Sequence, residues 1–170
     1  MKAYIGLGAN LGDLSATLQA ALRALDALPQ SRLLGVSSGW RSAPVDAGGP
    51  DFLNAVACLE TALAPLDLLD ALQAIEQIHG RERPYHHAPR TLDLDLLLME
   101  GQVLSHARLS LPHPRLHQRA FVLRPLLELD PELSLPGIGR LDAQLPLVTD
   151  QRLNLDGPLW PPAGNDKRPG

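Results

Sequence analysis

Cysteine, lysine and aromatic side chains are all scarce in this sequence, and each scarcity excludes something. Cys58 is the single cysteine, so no disulfide can close within the chain and a reducing cytoplasm is the expected setting. It lies in the apolar run "LNAVACLE" and reads as core filler, not as a nucleophile. No apolar stretch approaches the roughly 20 residues of a membrane span. The start "MKAYIGLGAN" is too short and glycine-rich to read as a signal peptide. A formal charge of −4 argues against nonspecific nucleic-acid binding. The 170 residues, 45% hydrophobic and 20% charged, suit one soluble domain and are too few to expect two.

The basic charge that is present is nearly all arginine, and much of it is clustered. Arginines stand at 81, 83, 90, 108, 115, 119 and 124, in a stretch that also contains "TLDLDLLLM". That segment reads as a strand buried on both faces, yet Asp93 and Asp95 interrupt it. Residues two apart share a strand face, so the two carboxylates point the same way, where like charges repel and resist desolvation.

Read along the chain, "KAYIGLG" is a short first strand and "DLSATLQAALRALDAL" an amphipathic helix, with Asp13 as N-cap and Pro29 as stop. "SRLLGVSSGW" and "FLNAVACLET" read as strands. Pro65 opens a second helix, "LDLLDALQAIEQIH", and Gly80 closes it. The aspartate strand follows. This order predicts an α+β fold: a ferredoxin-like βαββαβ antiparallel sheet with helices on one face. C-terminal helix and hairpin additions follow, one hairpin near "MEGQVL". The expected domain spans residues 1–150. Residues 151–170, rich in proline and glycine, are expected to form a partly disordered tail.

The glycines of "GLGANLGD" suggest a dinucleotide fingerprint, but Gly6, Gly8 and Gly12 break its G-x-G-x-x-G spacing. They read instead as a tight strand-to-helix turn. No G-x-x-x-x-G-K-[ST] is present either. His86 and His87 lack zinc-ligand spacing. His113, between prolines in "LPHPR", has its backbone fixed on both sides. The aspartate pair beside an arginine-rich loop suits magnesium and a polyphosphate. Mg²⁺ takes one or two carboxylates and fills its octahedron with water and phosphate oxygens, and arginine forks take the remaining charge.

"AYIGLGANLGD", "VSSGWRSAPV", "DFLNAVACLET", "AIEQIHGRER", "HHAPRTLDLDLL" and "LPHPRLHQRAFVLRPLLELDPEL", in that order, resemble 6-hydroxymethyl-7,8-dihydropterin pyrophosphokinase of folate biosynthesis. The resemblance implies transfer of a diphosphoryl group from ATP to the pterin's hydroxymethyl oxygen, leaving AMP. It implies that Asp93 and Asp95 hold two Mg²⁺ ions, with Arg81 and Arg90 as the catalytic arginines. It implies an ATP site of Gln73, Glu76, Arg83, Leu96, Arg108, Ser110, His113 and Arg119. Its pterin pocket falls on Ser42, Ala43, Pro44, Val45, Phe52, Asn54 and Phe121. Phe52 and Phe121 offer aromatic faces to a flat bicycle, and Asn54 offers a donor and an acceptor to its amide-like edge. The implied partners are those two small substrates, with no nucleic acid and no membrane, for a monomeric chain. The sequence departs from the family's usual pattern at Ala9, at Ala43 and at His87-Ala88, where Trp-Gly is common.

A ferredoxin-like nucleic-acid module would want exposed strand aromatics and a basic face, and the aspartate strand offers neither. A regulatory domain that binds a small ligand without chemistry has no use for the arginine-aspartate cluster.

Overall fold

The computed structural model describes residues 1–43, 50–79 and 92–161. The first strand, β1 (Lys2–Ala9), runs through the middle of the main sheet. Gly12, at φ +75°, turns the chain into α1 (Leu14–Asp26). Asp13 caps this helix, its carboxylate accepting from the Ala16 N–H at 3.1 Å. At the far end the Leu33 N–H donates to the Asp26 carboxylate at 2.9 Å, which fixes the turn into β2 (Ser31–Val36).

The run read as one strand, "SRLLGVSSGW", is divided into β2 and β3 (Gly39–Ser42). Ser37 is the cause. Its hydroxyl accepts from the Val56 N–H at 2.9 Å and donates to the Ser38 carbonyl at 2.8 Å, replacing a rung of the ladder and turning the chain. Both pieces pair with β4 (Phe52–Thr61), buried along nearly its whole length as a central strand must be. Then come α2 (Pro65–His79), with Pro65 at its first position, and β5 (Asp93–Met99). All neighbours are antiparallel, in the order β3-β4-β1-β5 with β2 also on β4.

Leu18, Leu22 and Leu25 of α1 and Leu68, Leu72 and Ile75 of α2 pack on one face, against Ile5, Leu53, Leu59, Leu94 and Leu96. The opposite face is covered as well, which differs from the expectation of helices on one face only. There α3 (Ala120–Leu129) packs Leu123 and Leu126 against Tyr4, Val56, Cys58 and Leu97. Cys58 is buried, and burial pushes its thiol pKa up, in keeping with core filler. "DLDLLLM" stays apolar after Asp95 because the pairing with β1 slips by one residue at Tyr4/Ile5. Leu97 and Leu98 therefore share the α3 face, while Met99 returns to the other core.

The expected hairpin at "MEGQVL" is a turn out of β5. The hairpin itself lies farther on, between β6 (Leu104–Ser105) and β7 (Ser110–Leu111). A second, β8 (Ser134–Leu135) with β9 (Gly139–Arg140), follows α3.

The first part of the expected tail is ordered structure, and residues 162–170 lie outside the described residues. Leu153–Gly157 form β10, which pairs with β3 and extends the sheet. Beyond it Leu159 is buried in the α1/α2 core, and the Leu159 carbonyl accepts from the Gln19 side-chain amide. Composition pointed to a tail, but backbone pairing and one buried leucine override it.

Candidate active site

α3 covers only part of its sheet face. At the uncovered end the register sets Gly8 between Asn54 and Asp93, and Gly6 between Val56 and Asp95. Cross-strand partners share a face, so the two glycines leave a hollow beside the two aspartates. The sequence pattern suggests a turn for these glycines. Both belong to β1, and what they supply is a floor. A Cβ at Gly8 would lie 3.4 Å from Asn54 Oδ1 and 3.8 Å from Phe52 Cδ1.

The hollow is a cavity of roughly 330 Å³, lined by Gly6, Gly8, Ser42, Ala43, Phe52, Asn54, Asp93, Asp95, Arg119 and Phe121. Phe52 opens β4, and Phe121 stands in the first turn of α3. Asn54 is buried, and its side-chain N–H₂ donates to the Trp40 carbonyl at 3.1 Å and to Ser42 Oγ at 2.8 Å. A carbonyl can only accept, so the amide orientation is fixed and the oxygen faces the Gly8 floor. Asn54 thus presents an acceptor here, with its donors spent within the protein. Arg119 sits over Phe121, its guanidinium carbon 5.7 Å from the ring centroid.

A second cleft, roughly 320 Å³, lies at the β5 edge of the sheet, and Asp95 belongs to its wall as well. It gathers Leu94, Leu96, Arg108, Ser110 and His113. Arg108 pairs with Asp70 and donates to Gln73 Oε1 at 3.3 Å, tying the cleft's rim to α2. The His113 N–H donates to the carbonyl of the bulge residue Leu97 at 2.7 Å, docking "LPHPR" onto β5. His113 Nδ1 accepts from the Arg115 N–H at 3.1 Å. Burial lowers the His113 pKa, with Arg119 and Arg115 adding to it against a raising effect from Asp95. The ring is therefore neutral with its proton on Nε2.

Six of the eight residues assigned to ATP contact fall near this cleft or on its rim. Glu76 is buried and accepts the Leu94 N–H at 2.8 Å, a bond that holds the strand between the two aspartates. Arg119 lines the aromatic cavity instead. Arg81, Arg83, Arg90, Pro44, Val45 and His87 lie outside the described residues, as does Gly80, expected from the sequence to close the second helix. Nothing local in the sequence marks the floor glycines as site residues. Their spacing of two matched that of the aspartates, a signal that becomes legible only once β1 and β5 are known to be neighbours.

An apolar aromatic slot and a polar cleft with arginine and histidine, sharing the wall at Asp95, give this α+β protein room for two ligands side by side, one of them anionic. The donor set fits Mg²⁺: hard oxygens on one strand face, with no group of three His, Cys, Asp or Glu among the described residues to make an all-protein cage.

Comparison with known proteins gives the family. The 7,8-dihydro-6-hydroxymethylpterin-pyrophosphokinase (HPPK) family profile matches residues 4–131. A 2-amino-4-hydroxy-6-hydroxymethyldihydropteridine pyrophosphokinase of Pseudomonas aeruginosa is 52% identical over 136 residues, 79% of this chain and 84% of that protein. Its Haemophilus influenzae namesake is 45% identical over 137 residues, 80% of this chain and 86% of that protein. Among solved structures, an HPPK-DHPS in complex with substrates superposes with a TM-score of 0.67 at 12% identity, over 88% of this chain. The HPPK-DHPS of Plasmodium falciparum gives 0.66 at 14% identity, also over 88%. At that identity the likeness is one of fold, and this chain spans only 43% and 44% of those two chains. The chain belongs to the 7,8-dihydro-6-hydroxymethylpterin-pyrophosphokinase family.

Proposed function

We propose that the aromatic slot takes the pterin and the edge cleft takes ATP. The reaction they serve is the one this chain catalyses as a family member, transfer of diphosphate from ATP to 6-hydroxymethyl-7,8-dihydropterin in folate synthesis. The observation that carries this placement is that Asp95 lines both cavities. The bond to be made joins the occupant of one cavity to the occupant of the other, so one side chain on both walls marks the junction.

A flat bicycle slides over the glycine floor between Phe52 and Phe121, where an aromatic face gains offset stacking. The Asn54 amide oxygen accepts from its edge. In the cleft, His113 donates from Nε2, and Arg108 is held at the rim by Asp70 and Gln73. The hydroxymethyl oxygen attacks the β-phosphorus, and the α–β bridging P–O bond breaks with its electron pair on the α-phosphate oxygen, releasing AMP. The alcohol proton passes to solvent. Such a transfer needs alignment and charge neutralisation more than a strong base.

Asp93 and Asp95 are the residues to hold Mg²⁺, and we read the site as one for two ions. When bound, Mg²⁺ neutralises charge on the phosphate oxygens. Arg81 and Arg90 complete the assignment as catalytic cations, with Arg83 beside the phosphates and Pro44 and Val45 at the pterin.

The same reading takes the fold as ferredoxin-like, which the strand order β5-β1-β4-β2 supports, and the chain as a cytoplasmic monomer of one catalytic domain. No helix among the described residues is long and apolar enough to cross a membrane. AMP should form from ATP only when the pterin alcohol and Mg²⁺ are both present. AMP formation without the pterin would sink the two-substrate assignment.

A further inference from the structure

Gln151 and Arg152 lie beyond the residues that the family profile matches. They are consecutive, and each grips a different wall of the aromatic slot. Gln151 Oε1 accepts from the Ala120 N–H at 2.8 Å, and its Nε2 donates to the Gln118 carbonyl at 2.9 Å. No side chain of α3's own N-cap, Arg119, makes a capping bond, so a remote glutamine satisfies the first amide of the helix. Ala120 directly precedes Phe121. Arg152 meets Asp51 through both terminal nitrogens, Nη2 to Oδ1 at 2.6 Å and Nη1 to Oδ2 at 3.2 Å. Asp51 directly precedes Phe52. The guanidinium holds the Asp51 carboxyl below the usual carboxylate range.

The dipeptide is itself anchored. Leu153 opposes Ser42 on β3, and Arg41 pairs with Asp156 at 3.0 Å. The Ser42 hydroxyl in turn receives the Asn54 amide. Residues 151–156 are thus fixed to the strand that orders the slot's polar end, while their first two side chains reach the two phenylalanine-bearing segments.

We propose that Gln151 and Arg152 are positioning residues that set the separation of Phe52 and Phe121, and through it the affinity for the pterin. They do so without touching the reacting atoms. This rests on the reading that the pterin occupies the slot. Preorganising both walls removes an ordering cost that would otherwise be charged against binding.

Steady-state kinetics of the full chain, with each substrate varied in turn, tests it. Losing one such bond should raise the pterin KM about three- to tenfold in Gln151→Ala and in Arg152→Ala. The ATP KM should stay within roughly twofold, the pattern of lost binding to one substrate only. Exchanging the pair, Asp51→Arg with Arg152→Asp, should recover part of the loss. Phe121→Ala is the control for the slot. If it weakens pterin binding while both folded single variants leave it unchanged, the positioning role is overturned and the slot stands. If Phe121→Ala also has no effect, the slot falls and the positioning role falls with it. A parallel rise in both KM values would show general loosening and overturn the proposal as well.

Discussion

The backbone N–H of Leu94 donates to the carboxylate of Glu76, and Leu94 is the residue between Asp93 and Asp95. A buried helix side chain therefore fixes the short piece of edge strand from which both aspartates project. Glu76→Ala would leave a buried N–H without that acceptor, at a cost of about 1–3 kcal/mol. For a chain of this size that lowers Tm by about 2–12 °C, and activity should fall with it because the aspartates lose their fixed base. Glu76→Gln keeps an acceptor and should recover most of the stability. Thermal unfolding of the two variants decides this: equal, unchanged Tm values would remove Glu76 from the support of the site.

Asp95 belongs to the walls of both cavities, and under the proposed placement of the substrates the reaction joins their contents. Asp95→Asn keeps the side-chain shape and removes the charge. Its kcat should fall by about 10²-fold or more, as expected when an interaction concentrated in the transition state is lost. Circular dichroism should stay unchanged. Near-normal turnover at saturating Mg²⁺ would end the assignment of this residue to the metal.

Gly8 has ordinary strand neighbours, so a methyl group there is tolerated by the fold. It would nevertheless stand between Asn54 Oδ1 and Phe52 on the floor of the slot. Gly8→Ala should raise the pterin KM about tenfold, in the range of overpacking penalties, with little change in Tm or in the ATP KM. A variant with unchanged pterin KM would show that the ring does not rest on this floor.

Burial holds the folded His113 pKa below the ordinary histidine value of about 6.5. The unfolded chain therefore takes up this proton at a higher pH than the folded one. His113 contributes stability above about pH 6.5, and that contribution is lost as pH falls through the folded pKa. His113→Gln should flatten the acid side of the stability profile below about pH 6.5. Denaturant melts across that range provide the measurement, and identical slopes for both proteins would refute the linkage.

Removing Leu153 onward takes away β10 and the buried Leu159. Loss of that leucine alone costs about 1.5–3 kcal/mol. A chain ending at Arg152 should therefore melt several degrees lower, by about 3–12 °C, and a Tm within about 1 °C of the full chain would contradict this.

Most elements and the phosphate chemistry were legible from short-range rules. Strand period two set Asp93 and Asp95 on one face, and the 3.6-residue spacing of Leu18, Leu22 and Leu25 defined the buried stripe of α1. Asp13 and Pro65 marked helix starts because capping and proline geometry act within a few residues. The quoted motifs likewise carried the family, which the comparisons bear out. Features that depend on residues far apart in the chain emerge with the fold. Gly6 and Gly8 became a floor because β1 lies between Asn54 on β4 and the aspartates on β5. Cross-strand register is a property of the whole sheet. Ser37 split a strand because its hydroxyl met the Val56 amide across the ladder. Gln151, Arg152 and Leu159 left the expected tail because pairing with β3 and burial against α1 outweigh a composition rich in proline and glycine. Local propensity reaches only a few residues along the chain, and these contacts span between 19 and 140.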